Sequence, residues 1–249
     1  FPYTTLFRSP GWHIECSAMS MHYLGETIDI HTGGIDHIPV HHENEIAQSE
    51  CATGHDFVHF WVHHAFLLVD GEKMSKSKHN FYTIEDIREK NITPLATRLL
   101  FMQTSYRKPL NFTWEGLVAA DIQLKKLQKI AAHVYIDGTI LDSYKDRFTE
   151  ALSDDLNTAK ALSVVWELVA DTTVAPNDRY QTLLSFDEVL GLDLSSVPPF
   201  SISDEAQALV AARDQARKEK DFATSDKLRT ALTDLGYEVL DTTEGTLLL

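Results

Sequence analysis

The sequence predicts an α/β domain over residues 10–112 followed by an α-helical domain over residues 113–249. In the first part, short runs rich in β-branched and aromatic residues, at 27–31, 57–64 and 66–69, alternate with helical patterns. From Trp114 onward the apolar residues recur at helical spacing. A turn-forming break at Val197-Pro198-Pro199 divides that helical part.

Residues 1–9 read as neither a capped helix nor an alternating strand, and are expected to be a junction foreign to the rest of the chain. Gly11-Trp12-His13-Ile14-Glu15-Cys16 opens a helix that runs through Leu24 and stops at Gly25. Residues 27–31 alternate as a strand, and Gly33-Gly34 behind it permits tight turning where a ligand pocket often opens. A helix over 41–48 places His41 and Glu45 four apart, on one face. Residues 56–69 read as buried sheet, in which the neighbouring His63 and His64 point to opposite sides and do not share an ion; one of them is expected to line a nucleotide pocket. Asp70-Gly71 turns the last strand into a polar loop. Thr83-Ile84-Glu85-Asp86 resembles a capped helix start, 94–102 carries a helical stripe, and 106–112 reads as a loop. Helices are expected over 117–135, around the stripe Ala161, Leu162, Val165, Leu168 and Val169, and twice within 202–235.

A chain of 249 residues with 43% hydrophobic content buries a sizeable core. Its apolar runs fall far short of the roughly 20 residues that span a bilayer, so a cytoplasmic protein with no membrane partner is expected. Two cysteines, Cys16 and Cys51, are too few for a disulfide framework and are expected to be reduced. The net charge of −15 argues against non-specific coating of nucleic acid. Any nucleic-acid contact then rests on local basic sets: Lys125, Lys126 and Lys129, or Arg213, Arg217, Lys218, Lys220, Lys227 and Arg229, each of which reads equally as a solvated helix face.

Two stretches carry chemistry. In the loop after 66–69, Lys73 and Lys76 lie three apart with Ser75 and Ser77 between and beside them, a set of cations and hydroxyls suited to a polyphosphate, or simply a solvated loop. Cys16, His41 and Glu45 offer three of the four ligands of a tetrahedral zinc site. The alternative is an ordinary helix-surface His-Glu pair beside a small buried thiol.

The string Lys73-Met74-Ser75-Lys76-Ser77 matches the KMSKS signature of class I aminoacyl-tRNA synthetases. Together with GWHIECSAM and DIHTGGIDHIPVHHENEIAQSE, it resembles the cysteinyl-tRNA synthetase family over roughly residues 10–249. The resemblance implies the second part of a Rossmann-like class I catalytic domain over 10–112 and a helical tRNA- and anticodon-binding domain over 113–249, with a closing strand and turn at 237–246. It implies ATP-dependent activation of L-cysteine and transfer to tRNA(Cys) by a monomer, with Zn2+ reading the thiol and Mg2+ accompanying ATP. Lys76 and Lys73 become catalytic and, with Ser75 and Ser77, ATP-binding. Trp12, His31 and Asp36 become substrate-binding, and Cys16, His41 and Glu45 zinc ligands. The family's remaining zinc cysteine and its HIGH-type motif have no counterpart here, so an incomplete enzyme is expected. Where the family commonly has a glycine after the KMSKS loop, this chain has His79, which is expected to stiffen the loop. Two rivals are a cysteine ligase acting on an amino-sugar acceptor and a non-catalytic tRNA- or metal-binding fragment.

Overall fold

In a computed structural model, residues 11–78, 80–133, 135, 137–237, 239–241 and 245–248 are described. The expected junction at 1–9, His79 and part of the closing turn fall outside them. The first element, α1 (His13–Leu24), ends at Gly25, whose φ of 98° few other residues adopt and whose N–H donates to the Met21 carbonyl. Strand β1 (Ile28–Gly34) leads through a 3-10 turn (Ile35–His37) and a π-helical turn (Ile38–His42) into α2 (Glu43–Thr53), then to β2 (Val58–His64). Strands β1 and β2 pair in parallel from Ile28 opposite Val58 to Gly34 opposite His64, with α2 as the crossover that a parallel pair requires.

This sheet is not buried on both faces, as the residue composition of 56–69 led one to expect. Phe57 is fully buried, but Ile30 and Phe60, opposite each other in the register, are 62% and 68% exposed. Aromatic and β-branched composition reports that a segment forms strand, whereas the covering of each face depends on what packs against it.

A second sheet holds β3 (Leu67–Val69), β4 (Glu72–Lys73) and β5 (Leu110–Phe112) in the order β4-β3-β5. Strand β5 corrects the expected loop over 106–112. Its three residues are too few to show a period, and they become a strand by pairing in parallel with β3, Leu67 opposite Leu110. Between them, α3 (Ile84–Glu89) starts with the expected capping box, Thr83 and Asp86 each bonding the other's backbone N–H. Helix α4 (Pro94–Met102) starts from Thr93 and buries Ala96, Thr97, Leu99 and Leu100.

The helical part comprises α5 (Trp114–Ala132), α6 (Asp142–Ser153), α7 (Thr158–Ala170) and α8 (Pro176–Leu190). Phe148 of α6 stacks on Phe186 of α8 at 4.2 Å between ring centroids, and Ala161, Leu162, Val165 and Leu168 of the expected stripe are buried, with Val169 partly so. Helix α8 stops at Gly191, φ 61°. There the carboxylate of Asp187 accepts the backbone N–H groups of Leu192 and Leu194, both at 2.7 Å.

The chain as far as Ala131, together with Tyr135–Ser196, forms one compact unit, and a second holds Ala132, His133 and the chain from Val197 onward. The division therefore falls at the Val197-Pro198-Pro199 break. Helices α6 to α8 belong with the first unit because their ends are tied to α4 and to the loop before β5: Thr158 donates to the Met102 carbonyl at 2.8 Å, Arg98 to that of Leu190, and Arg107 pairs with Asp155.

In the second unit α9 (Asp204–Lys218) and α10 (Phe222–Asp234) pack with the hairpin of β6 (Val239–Asp241) and β7 (Thr246–Leu248) around Ala206, Leu232 and Val239. Buried Arg213 donates to Asp241 at 2.8 Å and to the Thr246 hydroxyl. Asp241 is also approached by Arg217 and by Arg229. Of the two basic sets that read equally as nucleic-acid contacts or solvated helix faces, the C-terminal one thus converges in part on a single carboxylate, whereas Lys125 on α5 is paired with Asp121 one turn away.

Candidate functional site

The ligand-type side chains converge between α1, the turns after β1, α2 and the end of β2. Glu45, in the first turn of α2, is 0% exposed. Its Oε2 lies 3.1 Å from His31 Nε2, 3.5 Å from His41 Nε2 and 3.9 Å from His42 Nε2, while its Oε1 is buried with no hydrogen-bond partner. A buried carboxylate oxygen left unsatisfied is costly, and a cation is what such an oxygen lacks. Cys16, His41 and Glu45 each present a ligand atom within 4.8 Å of the others. The donor set of one thiol, one imidazole and one carboxylate suits zinc. The residues present therefore fit that ion.

Burial sets the protonation states. Desolvation, aided by the neighbouring imidazoles, pulls His41 and His42 down to about 4, so both rings are neutral and available as ligands near pH 7. Desolvation also pushes Glu45 up from the usual carboxylate range, opposed by His31. Cys16 is raised first by burial and then by the charges of Glu45 and Glu15. A bound cation reverses that last effect, since coordination favours the thiolate.

The other expected substrate residues divide. Trp12 stacks on His41 at 3.6 Å between centroids and meets His13 and His37 as well, so it walls the cluster. His31 bonds Glu45 and packs edge-on against Trp61. Asp36 instead lines a separate cavity of about 700 Å³, open at the carboxyl ends of β1 and β2, with Thr32, Gly34, His64, Tyr106 and Lys108. His63 and His64 face apart, as alternation requires: His63 bonds His42 at 2.7 Å, and His64 reaches this cavity.

Lys73 and Lys76 stand apart from that cluster, on and after β4. Lys73 ends the strand, and Lys76 opens a short 3-10 turn (Lys76–Lys78) with its ammonium 5.5 Å from the Phe81 ring centroid. The loop is shaped by its own polar groups. Asn80 accepts the Ser75 N–H at 2.8 Å and donates to the Lys73 carbonyl, and the Ser75 and Ser77 hydroxyls meet at 2.7 Å. Met74 faces an apolar crevice that includes Phe81, Ile87, Phe101 and Phe112.

Sequence reasoning missed how many imidazoles gather around Glu45. His13 bonds His41, Nδ1 to Nδ1 at 2.6 Å, and His37 meets both His41 and His42. A signal was present: ten of the twelve histidines lie within residues 13–64. No single helical or strand period joins them, because they come from five elements.

Residues 6–122 match the family model for the tRNA synthetases class I (C) catalytic domain. Residues 147–195 match the DALR domain, and 201–246 the cysteinyl-tRNA ligase anticodon binding domain. Among solved structures, LeuRS in its ternary complex with tRNA and LeuAMS from Agrobacterium radiobacter K84 superposes with a TM-score of 0.50 at 15% identity, covering 71% of this chain and 29% of that one. The fold is thus that of the class I aminoacyl-tRNA synthetases. Curated relatives narrow the class: the cysteine–tRNA ligases of Protochlamydia amoebophila and Caldicellulosiruptor saccharolyticus are 42% and 43% identical over 95% of this chain. Cysteine–tRNA ligase 1 of Burkholderia lata is 44% identical over the same share. The chain belongs to the cysteine–tRNA ligase family. It covers 54%, 56% and 51% of those three proteins, about half their length.

Proposed function

We propose that this chain supplies the thiol-reading and KMSKS-bearing part of a cysteine–tRNA ligase, which activates L-cysteine with ATP and transfers it to tRNA(Cys). The observation that carries the reading is the buried Glu45 carboxylate, with one oxygen unsatisfied beside Cys16 and His41, in a chain that also holds the KMSKS string. Cys16, His41 and Glu45 would hold a zinc ion. When bound, zinc supplies a soft Lewis acid that takes a thiolate far better than a serine hydroxyl, a distinction that shape alone makes only about a hundredfold.

The remaining work falls to this chain's side chains and to the substrates. Trp12 and His31 wall and orient the thiol end of the amino acid, and Asp36, in the neighbouring cavity at the strand ends, meets its polar groups. The cysteine carboxylate attacks the α-phosphate of Mg2+-bound ATP, forming cysteinyl adenylate and releasing pyrophosphate. Lys76, helped by Lys73, Ser75 and Ser77, offsets the charge on the leaving group. The ribose hydroxyl at the tRNA terminus then displaces AMP. Residues 10–112 are assigned to catalysis and 113–249 to the tRNA, with the exposed Lys218, Lys220 and Lys227 of the C-terminal basic set contacting its anticodon end. Among the described residues no helix is long and apolar enough to cross a membrane.

The test is cysteine-dependent ATP–pyrophosphate exchange, run on the chain and on the chain joined to the upstream catalytic segment of a curated relative. Exchange by the joined protein, abolished in Lys76→Ala and Cys16→Ala, is expected. A folded joined protein that is inactive, or that activates serine as readily as cysteine, sinks the reading. Tight tRNA binding without exchange in either protein would leave a binding fragment.

A further inference from the structure

We propose that His37, His41 and His42 form a second, all-imidazole metal-binding set that shares His41 with the Cys16–His41–Glu45 set and holds a borderline divalent ion without any thiolate.

The three residues come from the consecutive 3-10 and π-helical turns that follow β1, and they place a ligand nitrogen each within 4.8 Å of the others. Two features make this more than a crowding of histidines. His41 has its Nδ1 tied to His13 at 2.6 Å, and His42 has its Nδ1 tied to His63 at 2.7 Å. In each ring the second nitrogen, Nε2, is left as the ligand atom, which is how outer hydrogen bonds orient metal-binding imidazoles. The second feature is Gly33. A Cβ there would lie 2.7 Å from His42 Nε2 and 3.2 Å from His37 Nδ1, so the absence of a side chain makes room for these two nitrogens to converge over the backbone.

The two sets differ in chemistry while sharing a ligand, so one ion occupies one or the other. Thiolate and carboxylate favour zinc, whereas three imidazoles serve Zn2+, Co2+, Ni2+ and Cu2+ alike. The chain therefore keeps a metal when Cys16 is unavailable. This inference is independent of the proposed ligase activity, and its test reads the metal alone.

Co2+ is the probe, titrated into the full chain with stoichiometry and absorption recorded. In the unsubstituted protein a thiolate-to-cobalt charge-transfer band reports the Cys16 set, and its absence would count against the zinc reading under Proposed function. In Cys16→Ser/Glu45→Gln, one equivalent of Co2+ is expected to remain, with no charge-transfer band. Adding His37→Ala should abolish that binding, and adding His63→Ala should weaken it about 10–100-fold through the lost outer hydrogen bond. His63→Ala in the unsubstituted protein should leave the charge-transfer band in place. If the double variant keeps its circular dichroism spectrum but binds no cobalt, or if His37→Ala leaves its binding unchanged, the proposal is overturned.

Discussion

Replacing Asp187 with alanine removes both acceptors from the end of α8. The carboxylate is 9% exposed, and each oxygen takes one backbone N–H, from Leu192 and Leu194, at 2.7 Å. Both leucines are essentially fully buried, so water does not reach the freed donors. An orphaned buried N–H costs about 1–3 kcal/mol, which gives roughly 2–6 kcal/mol for the pair. At about 2–4 °C per kcal/mol for a protein of this size, the melting temperature should fall by roughly 4–24 °C. Asp187→Asn keeps one acceptor and turns an N–H donor toward the second leucine amide, so it should recover little of the loss. Thermal and urea unfolding followed by circular dichroism measures both variants. A fall of less than about 1 °C for the alanine variant would refute the reasoning, because it would mean that the two amides find other partners or open to solvent.

Phe148→Ala opens a cavity against Phe186 and should cost about 3–5 kcal/mol in urea unfolding, with the β1–β2 cluster retaining its metal. In a His37→Ala background, where the all-imidazole set is incomplete, Glu45→Gln removes the carboxylate charge and should lower zinc content after dialysis, read by elemental analysis; zinc unchanged from that of His37→Ala alone would exclude Glu45 as a ligand. Lys76→Ala in the joined protein should slow pyrophosphate exchange by about 10²–10³-fold, in line with losing one charge-stabilising donor. Asp171 is held at about 2, chiefly by hydrogen bonds from Thr173 and then Tyr144. Its folded value is thus below the unfolded one of about 4, so its contribution is present above pH 4 and lost as the pH falls toward 2. Acid unfolding of Asp171→Asn should accordingly be less steep across that window.

Much of the architecture was legible because it rests on local signals. Gly25 as a helix stop, the Thr83–Asp86 capping box and the Val197-Pro198-Pro199 break each announce themselves within a few residues. The two site strings were equally plain, since a helical period alone puts His41 and Glu45 on one face. What escaped was whatever depends on partners distant in the chain. β5 is a strand only because β3 lies beside it, and Asp187 looks like any surface acid until the chain beyond Gly191 folds back over it. The imidazole cluster is similarly invisible to any period, since His13, His31, His37, His42 and His63 meet only after α1, β1 and β2 have packed.

The bare face of the β1–β2 sheet bears on how this polypeptide fares in a cell. Ile30 and Phe60 sit opposite each other in the register and turn outward, while the alternation of the strands sends His31 and Trp61 the other way. A paired apolar face of this kind is what chaperones and proteases sense when they sort finished chains from unfinished ones. Two residues that take no part in the chemistry are therefore expected to lower yield and lifetime. Exchanging both for threonine keeps a strand-forming residue at each position, and offers a route to a better-behaved protein with the imidazole cluster left intact.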